Sequence, residues 1–263
     1  MRVESMLKTP LSSLEECLAQ CISLKKAGCE LARVAFPSKN LAEPLGRLVR
    51  LSPVPLMADI HFDRDLALLA LEAGVPSIRI NPGNMSPSGI RDIVRSAKER
   101  NGVIRIGANG GSLSSSQMAR AGGVRSDALA AAVEEQLFLL LDEDFEDIIL
   151  SAKTTSVSET VRANAILSAR HPDFPLHIGI TEAGFGRDGI IKSAAGISLL
   201  LSQGIGDTLR VSLTEAPEEE VHAGYSILRA LEMRRRGVTV ISCPTCGRTS
   251  IDVAAIATRV KAE

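Results

Sequence analysis

The chain has 263 residues, 45% of them hydrophobic, with a formal charge of −1, no Trp and a single Tyr. This is enough apolar material for a sizeable core, and a length that one α/β barrel commonly reaches. Near-neutral charge and scarce aromatics exclude a general nucleic-acid or membrane surface, so any anion must be held by locally placed charge.

In chain order, strands are predicted over 2–6 (RVESM), 31–36, 55–60, 77–81, 103–108, 147–153, 176–181 and 208–213. Helical patterns lie between and after them, near 12–27, 39–50, 64–73, 87–100, 126–142, 157–169, 190–203 and 217–235. Their punctuation is Ser12 and Ser13 ahead of Glu15 and Glu16, Gly28 and Gly74 at helix ends, and Pro217 followed by three glutamates. Eight strand–helix units predict a (β/α)8 TIM-type barrel. A doubly wound sheet is the alternative, but no G-x-G-x-x-G follows the first strand. Residues 238–242 read as one more strand, leading into the C-x-x-C of Cys243 and Cys246. The expected division is a barrel over 1–237 and the beginning of a second domain over 238–263.

No apolar run nears the ~20 residues of a membrane span, and the N-terminus lacks a signal-peptide core. Five cysteines in so long a chain do not make a secreted disulfide framework, so a reducing cytoplasm is expected. Cys17 and Cys21, at i, i+4 beside Leu14, Leu18 and Leu24, read as buried core thiols, as does Cys29. The C-x-x-C is harder to place. A structural zinc or an iron–sulfur cluster needs four ligands, and no cysteine follows Cys246. A zinc knuckle would need a second ligand pair, and a thioredoxin-like pair would open a helix after a first strand.

Strand parity is more informative. Ile78 and Ile80 oppose Arg79 and Asn81; Ile104 and Ile106 oppose Arg105, Gly107 and Asn109; Leu209, Val211 and Leu213 oppose Arg210 and Ser212. Arg33 stands among Leu31, Ala32 and Val34, Asp59 and His61 end the third strand in phase, and Lys153 ends the sixth. His177, Gly179 and Thr181 share a side of the seventh, with Glu182 just past its end. If the apolar parity faces the helices, four arginines and a lysine point into a barrel that is ordinarily filled with Val, Ile and Leu. Asp59 and Glu182, the evident internal carboxylates, do not neutralise all five, and an unpaired buried charge costs several kcal/mol. The pattern predicts a wet cavity at the C-terminal rim for a compact polyanion such as diphosphate, a structural ion-pair network being the other reading. The glycine loops NPGN (81–84), GANGGS (107–112) and TEAG (181–184) suit close backbone approach to phosphate, and equally suit plain turns. A redox-free barrel for a phosphorylated or pterin-like ligand on the same face remains open at this point. His177 reads either as an interior, hydrogen-bonded histidine or as a ligand contact.

MADIHFD (57–63), IRINPGN (78–84), IRIGANGGSL (104–113), TEAG (181–184), IKSA (191–194), GIGDTLRVSLT (204–214) and ISCPTCGRT (241–249) together resemble the 4-hydroxy-3-methylbut-2-enyl diphosphate synthase family (IspG/GcpE). The resemblance implies reductive ring opening of 2-C-methyl-D-erythritol 2,4-cyclodiphosphate, in the methylerythritol phosphate route to isoprenoids. It implies two electrons from ferredoxin or flavodoxin, passed through a [4Fe-4S] cluster. Carried onto this sequence, it makes Arg33, Arg79, Arg105, Lys153, Arg210, Ser212 and Asn109 diphosphate ligands. Asp59 and His61 line the same pocket, and Glu182 protonates the departing C3 oxygen. Cys243 and Cys246 become two of the four cluster ligands, a third cysteine and a glutamate being expected from a downstream segment outside this sequence. A head-to-tail homodimer is also implied, as is a longer basic, Gly-rich start than the one found here.

Overall fold

The computed structural model describes residues 1–60, 63–81 and 85–262. Eight parallel strands form the barrel: β1 (Arg2–Met6), β2 (Leu31–Ala35), β3 (Leu56–Asp59), β4 (Ser77–Ile80), β5 (Val103–Asn109), β6 (Ile148–Lys153), β7 (His177–Ile178) and β8 (Thr208–Leu209). The hydrogen-bonded order runs β6-β5-β4-β3-β2-β1-β8-β7, and a parallel bridge between Leu150 and Leu176 brings its two ends together.

The helices are α1 (Leu14–Ala27), α2 (Ala42–Leu51), α3 (Arg64–Glu72), α4 (Pro87–Arg100), α5 (Ser115–Arg120), α6 (Arg125–Leu141), α7 (Val157–Arg170), α8 (Gly186–Leu201), α9 (Pro217–Ala230) and α10 (Val253–Ala262). Their starts follow local chemistry. The Asp63 carboxylate accepts from the N–H groups of Asp65 and Leu66, and Ser86 and Ser156 cap α4 and α7. Gly28 closes α1 in the left-handed conformation at φ 97°. Pro217 opens α9 with Glu218, Glu219 and Glu220 in its first turn. Ser13 stands at the N-cap of α1 without a side-chain cap bond.

The apolar parity faces the helices, as expected. Val34, Ala58, Ile78, Ile104, Leu150, Ile178 and Leu209 are buried against that layer, together with Cys17, Cys21 and Cys29. Burial pushes the Cys17 thiol up to about 11 and the Cys29 thiol up to about 12, which makes both poor nucleophiles.

The expected elements differ from the observed ones in several places, and α9 ends at Ala230 where its pattern was expected to run to 235. β7 and β8 are two-residue ladders rather than six-residue strands, and their backbones run close together just beyond them. A Cβ on Gly179 would collide with the Arg210 carbonyl. The sequence reading passed over α5, and α8 starts four residues earlier than its pattern. Residues 238–242 form no strand: Val238 and Ile241 are exposed, and no neighbouring strand satisfies this stretch. Beyond α9, Arg234 donates to the Met1 carbonyl (2.9 Å) and pairs with Glu30 (3.0 Å), while Arg236 lies 4.7 Å over the Tyr225 ring and donates to the Lys26 carbonyl. These contacts fix the chain's exit at the N-terminal face of the barrel.

Candidate active site

The inward parity builds two tiers. In the lower one, Arg105 extends its guanidinium across the barrel to Glu4, which accepts from Nη1 at 2.5 Å and from Nη2 at 3.0 Å. Both side chains are essentially sealed from solvent. His177 completes this floor: its Nδ1 lies 2.8 Å from the Thr208 hydroxyl and 3.7 Å from Glu4, and its buried Nε2 has no hydrogen-bond partner among the described residues. Burial, with the fields of Arg105 and Lys153 added, holds His177 well below the usual imidazole range, so it is neutral at physiological pH. Burial would raise Glu4, but the fields of Arg105, Arg33 and Lys153 prevail and lower it.

Above this floor lies a cavity of about 350 Å³ lined by Arg33, Asp59, Arg79, Arg105, Asn109, Lys153, Arg210 and Ser212, with Met6, Gly107, Ser151 and Thr181 between them. The strand ladders set these positions: Arg79 is in register with both Asp59 and Arg105, and Asn109 with Lys153. Gly107 is needed because a Cβ there would sit 2.6 Å from the Ser151 carbonyl. Asp59 is shared between Arg33 at 3.7 Å and Arg79 at 3.5 Å, and both distances are too long for good hydrogen bonds. Among the described residues, Arg33 Nε and Asp59 Oδ1 accordingly have no hydrogen-bond partner. Arg210 is held from outside the barrel by Glu220 of α9, through Nε at 3.1 Å and Nη2 at 3.0 Å. Lys153 has no carboxylate within 4 Å among the described residues. Burial and the neighbouring Arg105 push it well below the usual lysine range. Arg33 falls to about 10, through burial and despite the nearby Asp59.

The cationic set expected from parity therefore converges, together with Asp59, Asn109 and Ser212. Two carboxylates escaped the sequence reading. Glu4 was legible, since it alternates with Val3 and Ser5 in RVESM, and Glu220 shares a helical stripe with Ala223, Gly224 and Ile227. With them, Arg105 and Arg210 are paired, so the expectation that Asp59 and Glu182 are the available internal carboxylates is corrected. Glu182 is exposed at the rim with φ 49°, outside the cavity lining. His177 is buried in the floor and is not among the residues that line the cavity. His61, Pro82, Gly83 and Asn84 lie outside the described residues.

Cys243 and Cys246 are exposed. Their loop turns at Thr245 (φ 68°) and is tied by a bond from Cys246 N–H to the Thr249 hydroxyl at 3.1 Å. Hydrogen bonding from Arg248 draws the Cys246 thiol below its usual range. Among the described residues, no group of three or more His, Cys, Asp or Glu side chains gathers to hold a metal ion. Two thiols are half the donor set of a four-ligand cluster, so the described residues do not by themselves fit one.

The model of the GcpE TIM-barrel domain matches residues 1–225. The 4-hydroxy-3-methylbut-2-en-1-yl diphosphate synthase (flavodoxin) of Thermodesulfovibrio yellowstonii is 44% identical over 262 residues, 99% of this chain and 75% of that protein. The chain belongs to the 4-hydroxy-3-methylbut-2-en-1-yl diphosphate synthase family. The family members of the same printed name from Maridesulfovibrio salexigens and Aquifex aeolicus are 45% and 46% identical, covering 99% and 98% of this chain and 73% and 72% of theirs. Synthase function, in an oxidoreductase of isoprenoid biosynthesis, is assigned on that footing. Among solved structures, the dihydropteroate synthase of Stenotrophomonas maltophilia aligns with TM-score 0.62 at 13% identity, covering 88% of this chain and 91% of that one. That of Xanthomonas albilineans with 4-aminobenzoic acid aligns with TM-score 0.60 at 15% identity, covering 89% and 94%. At such identity the likeness is one of fold, so the pterin-like reading gains no support beyond the barrel.

Proposed function

We propose that the cavity binds 2-C-methyl-D-erythritol 2,4-cyclodiphosphate and positions it for reductive ring opening by two electrons. The observation that carries this reading is the convergence of Arg33, Arg79, Arg105 and Lys153, from four strands, and of Arg210, just past β8, on one cavity of about 350 Å³ at the C-terminal rim. Barrel interiors are otherwise apolar, and rim sites are where barrel enzymes act. Arg33, Arg79, Lys153 and Arg210 bind the diphosphate oxygens, aided by Ser212 and Asn109. Asp59 spaces Arg33 and Arg79, and Arg105 supplies charge from the floor. Desolvated, preorganised cations of this kind hold a compact anion in one orientation. Glu182, exposed at the rim four residues beyond β7, protonates the departing C3 oxygen.

Cys243 and Cys246 would hold two positions of a [4Fe-4S] cluster whose other ligands come from outside this sequence. Such a cluster would supply the route for electrons from flavodoxin or ferredoxin. Residues 238–263 then begin the cluster domain. The chain leaves the barrel at the face opposite the cavity, held there by Arg234 and Arg236. Seven residues from Arg236 to Cys243 span at most ~25 Å, which favours service to the mouth of another copy in a head-to-tail homodimer. No helix among the described residues is long and apolar enough to cross a membrane, and a cytoplasmic setting suits the reduced thiols.

Titration calorimetry with the cyclodiphosphate tests the site. Salt-sensitive binding that weakens at least tenfold in Arg210→Ala is expected, and no binding by the folded wild type would overturn the reading. Anaerobic reconstitution with iron and sulfide tests the cysteines: the 263-residue chain alone forms little stable cluster, and a stoichiometric redox-active one would refute the need for outside ligands.

A further inference from the structure

We propose that Glu4 and Glu220 are specificity-determining positioning residues, trimming the charge around the cavity so that a doubly charged cyclic diphosphate is preferred over an open diphosphate. The inference rests on the substrate reading above. Five cations, Arg33, Arg79, Arg105, Lys153 and Arg210, are set against three carboxylates among the described residues, Glu4, Asp59 and Glu220. Two positive charges remain once Lys153 is protonated beside a bound anion. Lys8 also reaches Glu220, at 3.6 Å, but it is 35% exposed and outside the lining, so solvent screens most of its effect.

The charge matches the ligand chemistry. A diphosphate esterified at both ends keeps one ionised oxygen on each phosphorus, two charges in all. Opening the ring at one ester frees a further acidic oxygen with a pKa of about 6, so the open form carries about one charge more at neutral pH. A cavity with all five cations uncompensated would hold the open form harder than the closed one and would slow its release. Neither carboxylate faces the ligand. Glu4 lies beneath Arg105 and Glu220 behind Arg210, and both are fully buried. Glu4 also replaces the apolar filling that a barrel floor ordinarily has, at a desolvation cost that packing alone does not require.

The experiment compares 2-C-methyl-D-erythritol 2,4-cyclodiphosphate with inorganic pyrophosphate, by calorimetry at low salt and pH 8, in wild type, Glu4→Gln, Glu4→Asp and Glu220→Gln. Circular dichroism establishes that each variant is folded. Glu4→Gln is expected to shift selectivity toward pyrophosphate by about tenfold, the order of one added charge acting across ~10 Å at an effective dielectric near 20. Glu4→Asp, which keeps the charge, retains the wild-type ratio. Glu220→Gln adds the same charge from another element and shifts the ratio in the same direction, which decides the matter if Glu4→Gln does not fold. A change that is equal for both ligands, or a ratio moved by Glu4→Asp as much as by Glu4→Gln, overturns the proposal and leaves the carboxylates as structural partners. Wild type that binds pyrophosphate but not the cyclodiphosphate overturns the substrate reading itself.

Discussion

Replacing Asp59 with Asn removes the one carboxylate that Arg33 and Arg79 share, at nearly the same size. At 3.7 and 3.5 Å, each contact has a gross Coulomb energy of about 4–5 kcal/mol at an effective dielectric near 20. The net loss is smaller, since water enters the cavity and Asp59 no longer has to be desolvated. About 2–3 kcal/mol is expected, at the lower edge of what breaking a buried pair costs. For a chain of this size that lowers Tm by roughly 4–6 °C. Thermal unfolding followed by circular dichroism in phosphate-free buffer measures it. The diagnostic arm adds inorganic pyrophosphate: an anion that replaces the lost carboxylate should recover most of the deficit, raising the Tm of Asp59→Asn by more than that of wild type. A variant within about 1 °C of wild type, or equal stabilisation of both proteins, would show that the arginines do not depend on this charge.

Other outcomes follow from the same geometry. Lys153 is held well below the usual lysine range by burial and its arginine neighbours, and a bound anion reverses that balance. Calorimetry in buffers of differing ionisation enthalpy should therefore show proton uptake with the cyclodiphosphate, and Lys153→Met should abolish it. His177 is depressed in the folded state, so the unfolded chain binds its proton first. Stability is therefore lost as pH falls below the ordinary value near 6.5, and His177→Gln should flatten that limb of a urea-midpoint profile. Glu4, also depressed, contributes stability that is fully present above the ordinary carboxylate range and is lost as pH falls through its lowered value, a second decline at lower pH. Gly179→Ala forces a Cβ into the Arg210 carbonyl and should destabilise the fold by about 2 kcal/mol while weakening anion binding. Of the five thiols, Cys243 and Cys246 should react rapidly with a disulfide reagent in native buffer, and Cys17, Cys21 and Cys29 only after unfolding.

Much of the cavity is legible in the sequence, because a strand's alternation is a local property. Ile78 and Ile80 can face the helices only if Arg79 faces the other way, and the same logic placed Arg105, Lys153 and Arg210. Glu4 obeys that rule too and was passed over because RVESM is short and near the chain start. Glu220 was harder, since a first-turn glutamate after Pro217 normally interacts with the helix dipole in solvent. Only the packing of α9 against β1 and β8 turns it inward. Residues 238–242 show the opposite failure: a β-rich composition with no neighbouring strand to satisfy its backbone stays irregular.

The order of strands and helices, the inward parity of the cations and the family motifs were all present in the sequence, since each depends on spacing within a few residues. Which charges meet was decided by tertiary structure. Arg105 reaches Glu4 across 101 positions, and Arg210 is gripped by a glutamate from the helix layer. Lys153 has no carboxylate partner among the described residues. Pairing depends on distances of 3–4 Å between side chains from different elements, and barrel closure alone sets those. The parity pattern thus located an anion site, and the fold determined how much of its charge is left for a ligand.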